Sequence, residues 1–228
     1  MSVTTAAVDG VVVATIDDGK VNALSIEIID GIRSSIAEAT GRRQPLVLAG
    51  REGCLSAGFD LNAINGGDTN LISTLFAKGA DLYGDIVRAP VPVVVACTGH
   101  ALAGGALLLL SADYRVGRNG PFRIGLNETG IGMALPNFAV VLATHRLERR
   151  FLTVATMFAR VVAAERAVEM GYLDESVDDP LARAHAVAAE VKNLPPDAFA
   201  GTKRRIRRAL QQDLEALKRR ESRGREEG

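Results

Sequence analysis

The stretch from Thr98 to Asp113, TGHALAGGALLLLSAD, constrains this chain more than any other. It follows Val91 to Ala96, an apolar β-branched run broken only by Pro92, which reads as a buried strand. A small-residue turn comes next. The apolar run after it predicts a helix buried on all sides. Gly104 and Gly105 fall where strand becomes helix. Glycine there admits a ligand close to the backbone. The first amides of a helix are unpaired donors at its positive end and suit an oxygen that becomes negative during a reaction. The same letters also describe a core helix after an ordinary Gly-Gly turn. On this stretch alone both readings stand.

At 228 residues the chain can bury a substantial core, and one domain spanning 1–228 is expected. Lys and Arg number 27, as do Asp and Glu, so bulk attraction to nucleic acid or acidic membranes is not expected. The longest apolar run, Ala101 to Leu110, is too short to span a bilayer. No basic segment followed by an apolar core marks the N-terminus as a signal peptide. Cys54 and Cys97 lack motif spacing, which predicts inert buried thiols and a reducing, cytoplasmic setting. His100, His145 and His185 are widely separated and give no metal-ligand spacing, so no metal is expected.

Before the central stretch, Val3 to Ala7 and Val11 to Ile16 predict strands joined at Asp9-Gly10. Ser25 caps a helix whose apolar positions are Ile28, Ile29, Ile32 and Ile36. Pro45 to Ala49 is a third strand, Gly50 to Asn62 a loop, and Leu71 to Val87 an amphipathic helix. Tyr114 to Val116 is a short strand after the central helix. Asn127 would cap a short helix starting at Glu128. Helical segments follow at Pro136 to Arg146, Glu148 to Met157 and Ala163 to Met170. A short extended piece, Tyr172 to Val177, precedes a helix over Leu181 to Leu194. One last helix runs from about Ala198 into a charged tail. Strands alternating with helices, then a helical half, give an α/β class.

Two loops share one logic, a strand followed by Ala/Gly residues beside a backbone donor. Ser56-Ala57-Gly58-Phe59-Asp60-Leu61 and Gly99-His100-Ala101-Leu102-Ala103-Gly104-Gly105 resemble the crotonase (enoyl-CoA hydratase/isomerase) superfamily. Lys20-Val21-Asn22-Ala23-Leu24-Ser25, Ile124-Gly125-Leu126-Asn127-Glu128 and Ala163-Ala164-Glu165-Arg166-Ala167 with Gly171-Tyr172-Leu173-Asp174-Glu175 match it too, in the family's order. The resemblance implies a spiral of ββα units over residues 1–180. The region 181–228 would then be C-terminal helices and a charged tail that help cover the site and assemble homotrimers or hexamers. It implies acyl-CoA thioester substrates of fatty-acid metabolism, with coenzyme A entering as part of the substrate and no separate cofactor. It also implies that the backbone N–H groups of Phe59 and Gly104 bind the thioester oxygen and stabilise an enolate. Ala57 to Leu61, including Asp60, would meet the adenine, and Val21 to Ala23 would line the pantetheine path. Lys20 would face a CoA phosphate or remain a solvated turn lysine.

Hydratases of this family carry two glutamates, one of them three residues after the oxyanion glycine. Here that place holds Leu107. The other lies four residues before a glycine, which Glu128 and Gly132 match. Without the family pattern, Glu128 reads as a first-turn helix glutamate favoured by the dipole. One carboxylate can take a proton from C2 and return it at C4, which is isomerisation of 3-enoyl-CoA to 2-enoyl-CoA. Adding water needs a second group to hold and deprotonate the water. Isomerase is therefore the leading expectation and hydratase the alternative. A catalytically silent acyl-CoA binder is a third reading.

His100 is expected to pack at its turn rather than reach the acyl pocket, and Asp113 to be structural. Lys203, Arg204, Arg205, Arg207 and Arg208, then Lys218 to Arg220, suggest an RNA-binding relative. Interleaved Asp213, Glu215, Glu221, Glu226 and Glu227 favour a solvated helix face instead. Lys203 is also expected to approach a CoA phosphate.

Overall fold

The computed structural model describes the backbone of residues 2–226 and the side chains of 2–220. Glu221, Glu226 and Glu227, the tail acids named above, have side chains outside the described residues. The chain opens with a hairpin of β1 (Val3–Val8) and β2 (Val11–Ile16). Asp9 and Gly10 turn it with φ angles of 51° and 81°, the left-handed pair that matches strand twist. In α1 (Ile26–Arg42) the Ser25 hydroxyl accepts the Ile28 N–H at 3.3 Å, and the isoleucine stripe is buried.

Next come β3 (Leu46–Gly50), β4 (Gly53–Ser56), α2 (Leu61–Asn65) and α3 (Thr69–Arg88). Then β5 (Val93–Cys97), β6 (Gly99–Leu102) and α4 (Gly104–Ser111) form the centre. After β7 (Tyr114–Arg118) and β8 (Ile124–Gly125), a 3-10 turn (Thr129–Ile131) leads to α5 (Asn137–Arg146). A second 3-10 turn (Arg149–Phe151), α6 (Leu152–Thr156), α7 (Ala164–Met170) and β9 (Glu175–Val177) follow. The chain ends with α8 (Pro180–Val191), α9 (Pro196–Ile206) and α10 (Arg208–Glu226).

The large sheet has the order β1-β2-β3-β5-β7-β9, with only its first pair antiparallel. A second, parallel sheet has the order β4-β6-β8. Successive passes lay one strand in the large sheet and the next in the small one before a helix, which is the ββα spiral. The large sheet is covered on both faces, so β3 and β5 are buried along their whole length. Val12, Leu46, Leu48, Val93 and Val95 face the main core. Val11, Val47, Ala49, Val94 and Ala96 face Ala184, Val187 and Ala188 of α8.

Sequence pattern and structure differ in the small sheet. The expected loop 50–62 contains β4, the small-residue turn before α4 is β6, and β8 was not foreseen. These strands are short and find their partners far along the chain, so they leave no local periodicity. Gly99 in β6 serves close approach rather than turning: a Cβ on it would lie 2.0 Å from the Gly53 carbonyl. Glu148 to Met157 is a 3-10 turn and a short helix. The final helix is two, broken at Arg207. Asn127 caps nothing; Glu128 occupies the N-cap of the 3-10 turn without a side-chain bond.

Every residue of α4 is buried. Each leucine buried there is worth about 1.5–3 kcal/mol. Its negative end is met by cations. Arg146 donates to the Leu110 and Ala112 carbonyls, both at 3.0 Å, and Arg207 to Ala112 at 2.8 Å. Asp113 accepts from the Val93 N–H, from Lys203 Nζ at 2.6 Å and from Arg207 at 3.2 Å. Asp113 is thus structural, as expected. Lys203 is buried against it, which corrects the placement of Lys203 near a CoA phosphate. Nor does the basic run form one solvated face, because Lys203 and Arg207 both turn inward.

Asp113→Ala would leave two cations buried without their carboxylate. It should cost about 3–5 kcal/mol, read as a lowered urea midpoint. An unchanged midpoint would show that these pairs carry no net stability.

Candidate active site

Two backbone amides are brought together from separate loops. Leu24 forms a parallel bridge with Phe59. The Leu24 N–H donates to Gly58 O at 2.7 Å, and the Asp60 N–H donates to Leu24 O at 3.4 Å. This pairing uses the groups on either side of Phe59 and turns its own N–H the other way. Gly104 opens α4, so no helical carbonyl precedes it as an acceptor. Neither the Phe59 nor the Gly104 N–H donates to any acceptor among the described residues.

The loops meet at glycine and alanine. Gly58 has φ +99°, and a Cβ on it would stand 2.8 Å from Ala103 Cβ and 3.1 Å from Gly104 N. Ala103 itself has φ 47° and ψ −119°, a conformation costly for alanine. It directs the chain from β6 into α4 while its own N–H remains bonded to Gly125 O at 3.0 Å. A Cβ on Gly104 would lie 3.3 Å from the Phe59 ring.

Leu107 lies one turn into α4 and is fully buried. Glu128 is only 6% exposed, and its Oε2 has no hydrogen-bond partner among the described residues. Burial pushes its carboxyl above the ordinary range, against a smaller opposing effect of its own backbone N–H. Its charge reaches Tyr83 and Tyr172, whose hydroxyls burial has already pushed up. Gly132, at φ +83°, closes the turn that carries Glu128, and the Met133 N–H returns to Glu128 O at 2.9 Å.

The remaining candidate positions lie along an outer strip. Lys20 is exposed, and its carbonyl accepts from the Arg51 guanidinium. Val21 and Leu61 are about half exposed, and Ala57 is exposed. The Ala57 N–H bonds Val21 O at 2.9 Å, joining the first loop to the second. Asp60 caps α2 through the Asn62 N–H at 2.9 Å. The Ala23 N–H bonds Asp18. Burial pushes the Asp18 carboxyl up, but the N–H groups of Asn22, Lys20 and Ala23 outweigh it and hold it below the usual range.

His100 lies apart from this site. Its Nδ1 accepts the Arg123 N–H at 2.9 Å, and its ring meets Phe122 edge-on. Cys97 is a buried thiol pushed up to about 12 by burial, and burial also raises Cys54. Sequence reasoning passed over Asn22, which is wholly buried at φ 53° and whose amide donates to Ile16, Cys54 and Leu55 carbonyls. That residue pins the first loop to the second. An asparagine soon after Asp17-Asp18-Gly19, a residue type that tolerates positive φ, is the signal that could have found it.

A family model described as enoyl-CoA hydratase/isomerase matches residues 6–226. Mitochondrial enoyl-CoA delta isomerase 1 of Rattus norvegicus is 27% identical over 224 residues, covering 93% of this chain and 75% of the relative. Among solved structures, an enoyl-CoA hydratase/isomerase family protein from Pseudomonas syringae is 37% identical, with a TM-score of 0.91 over 94% of each chain. A probable enoyl-CoA hydratase from Mycobacterium tuberculosis is 33% identical, with a TM-score of 0.91 over 95% of this chain and 92% of that one.

A methyl at Gly58 collides with Ala103 and crowds the Gly104 amide while straining its own backbone. Gly58→Ala should therefore lower turnover about a hundredfold, as loss of one oxyanion donor does. Steady-state kinetics of the purified variant checks this, and wild-type turnover would separate the loop contact from the chemistry.

Proposed function

The chain belongs to the enoyl-CoA hydratase/isomerase family, and from that premise we propose that it moves a double bond, converting 3-enoyl-CoA to 2-enoyl-CoA. The thioester oxygen lies between the Phe59 and Gly104 N–H groups. A thioester α-proton is too weakly acidic to leave at neutral pH unless the enolate is stabilised. Two preorganised amides, one at a helix N-terminus, supply that stabilisation. Glu128 takes the C2 proton and returns it at C4 on the same face of the chain. Ala57, Asp60 and Leu61 receive the adenine end, Val21 and Ala23 flank the pantetheine, and Lys20 stands by the phosphates.

The observation that carries this reading is a buried carboxylate, Glu128, whose Oε2 has no partner among the described residues, together with an apolar residue, Leu107, where the two-glutamate pattern would have its second carboxylate. A glutamate kept out of ion pairs, with its affinity for protons raised by burial, can both accept and return a proton. Leu107 offers no group to hold or deprotonate a water. The free, buried thiols of Cys54 and Cys97 fit a reducing compartment such as the cytoplasm. An apolar cavity of about 740 Å³, lined by Met133, Leu135, Val140, Leu152 and Met157, lies beside exposed Ile131 and Phe158. We read this face as the contact between copies in a homotrimer, and sedimentation showing only monomer would remove that assignment.

Glu128→Gln should lower kcat at least about a hundredfold while leaving acyl-CoA binding intact. The wild-type acid limb of kcat/KM should fall above 4.5, the ordinary glutamate value, because the base works only when ionised. The linkage runs the other way for stability. A carboxyl that holds its proton more tightly folded than unfolded loses stability as pH rises through its folded pKa. Glu128→Gln should therefore be at least as stable as wild type at neutral pH. Near-wild-type turnover in that variant would take Glu128 out of the mechanism.

Wild type should isomerise 3-enoyl-CoA at least about tenfold faster than it hydrates 2-enoyl-CoA, about 1.4 kcal/mol in barrier. Product identity by mass spectrometry decides it. Hydration as fast as isomerisation would favour the hydratase.

A further inference from the structure

We propose that Tyr83 is a positioning residue that holds both amide donors in register, its hydroxyl fixing Gly104 and its ring bounding Phe59. The proposal rests on the reading in which those two amides bind the thioester oxygen. Tyr83 lies on α3 and is wholly buried. Its O–H donates to the Gly104 carbonyl at 3.0 Å. Its ring meets the Phe59 ring nearly at right angles, 6.3 Å between centroids. Phe138 of α5 supports it from behind at 5.7 Å.

Space at Gly104 makes this convergence close. A Cβ there would stand 2.9 Å from the Tyr83 hydroxyl, 3.0 Å from Leu24 and 3.3 Å from Phe59. One helical turn before Tyr83, on the same face of α3, is Gly79. The Phe59 ring occupies the place its side chain would take, with Cζ 2.4 Å from where a Cβ would be. So α3 presents a seat for the Phe59 ring and, one turn later, a hydroxyl for Gly104. The helix sets the separation of two donors that belong to loops distant in sequence.

A purely structural filler at this place would not need the hydroxyl. Phenylalanine would pack equally well and would bury no polar group. Burial, with the nearby Glu128 carboxylate, pushes the Tyr83 hydroxyl well above its ordinary range, so it remains a neutral donor at working pH.

The test compares wild type with Tyr83→Phe, using isotope-edited infrared spectra of a bound, saturated acyl-CoA labelled at the thioester carbonyl. In wild type the carbonyl stretch should move to lower frequency on binding, as two donors polarise it. In Tyr83→Phe that shift should shrink and kcat for 3-enoyl-CoA should fall about tenfold, while the dissociation constant of the acyl-CoA changes little. A variant with the wild-type shift and kcat overturns the proposal. No shift in wild type itself would sink the two-amide reading, and the role of Tyr83 with it.

A second pair keeps the test decisive if Tyr83→Phe does not fold. Gly79→Ala should displace the Phe59 ring and lose part of the shift. Adding Phe59→Leu, which clears the ring from that space, should restore it. No loss in Gly79→Ala, or a loss that Phe59→Leu leaves unrestored, overturns the proposal.

Discussion

A helix with no solvent on any side must settle its unpaired ends within the protein, and much of this molecule follows from how α4 does so. At its carboxyl end, carbonyls that no helical N–H reaches are met by Arg146 and Arg207. Asp113, just beyond, gathers Lys203 and Arg207 and so ties the C-terminal helices to the core. At the amino end the Gly104 N–H is left without an acceptor among the described residues. The same burial that makes an unsatisfied donor costly in the core makes it valuable to a ligand oxygen. Because both ends are held by packed neighbours, a donor placed there would need little reorganisation to meet a developing charge.

The second donor reaches its place through close backbone contact. A Cβ on Gly105 would lie 2.2 Å from the Ser56 carbonyl, and one on Gly50 at the same distance from the Cys54 carbonyl. Side chains at these positions would push the small sheet away from α4 and separate the Phe59 loop from Gly104. Ala103 bears the cost of the junction, of the order of 1–3 kcal/mol for such a backbone, in a conformation the surrounding bonds enforce. Strain and close approach thus occur at the two loops that meet.

Glu128 is subject to the same exclusion of water. Glu128 has no ion-pair partner among the described residues, and burial raises its hold on the proton. A carboxylate held low by an ion pair would be a poor base. Asp174 shows the contrast: burial would raise it, but bonding to Arg115 outweighs that and keeps it below the usual range. On the proposed reading, folding stability at neutral pH is given up at Glu128 in return for a group that can move a proton both ways.

Much of the architecture was legible in the sequence, because its signals are local. The Asp9-Gly10 hairpin, the Ser25 cap, the isoleucine stripe of α1, the buried β5 and the apolar run of α4 each follow from neighbouring residues obeying one period. The small sheet was not legible: β4, β6 and β8 are two to four residues long, pair in parallel across long separations and carry glycine where a strand usually carries bulk. The pairing of Phe59 with Gly104 was expected only through resemblance to a family, since nothing in either loop's composition aims one at the other. Lys203 read as a surface cation because a charged helix face and a buried ion pair have the same letters; only the approach of Asp113 from the turn after α4 turns it inward. Tyr83 gave no signal at all. On its own helix it is one more core aromatic, and its hydroxyl acquires a role only where α3, the Phe59 loop and the first turn of α4 converge. Side-chain period along one element can be read from sequence, but the meeting of three elements is set by packing that no single element encodes.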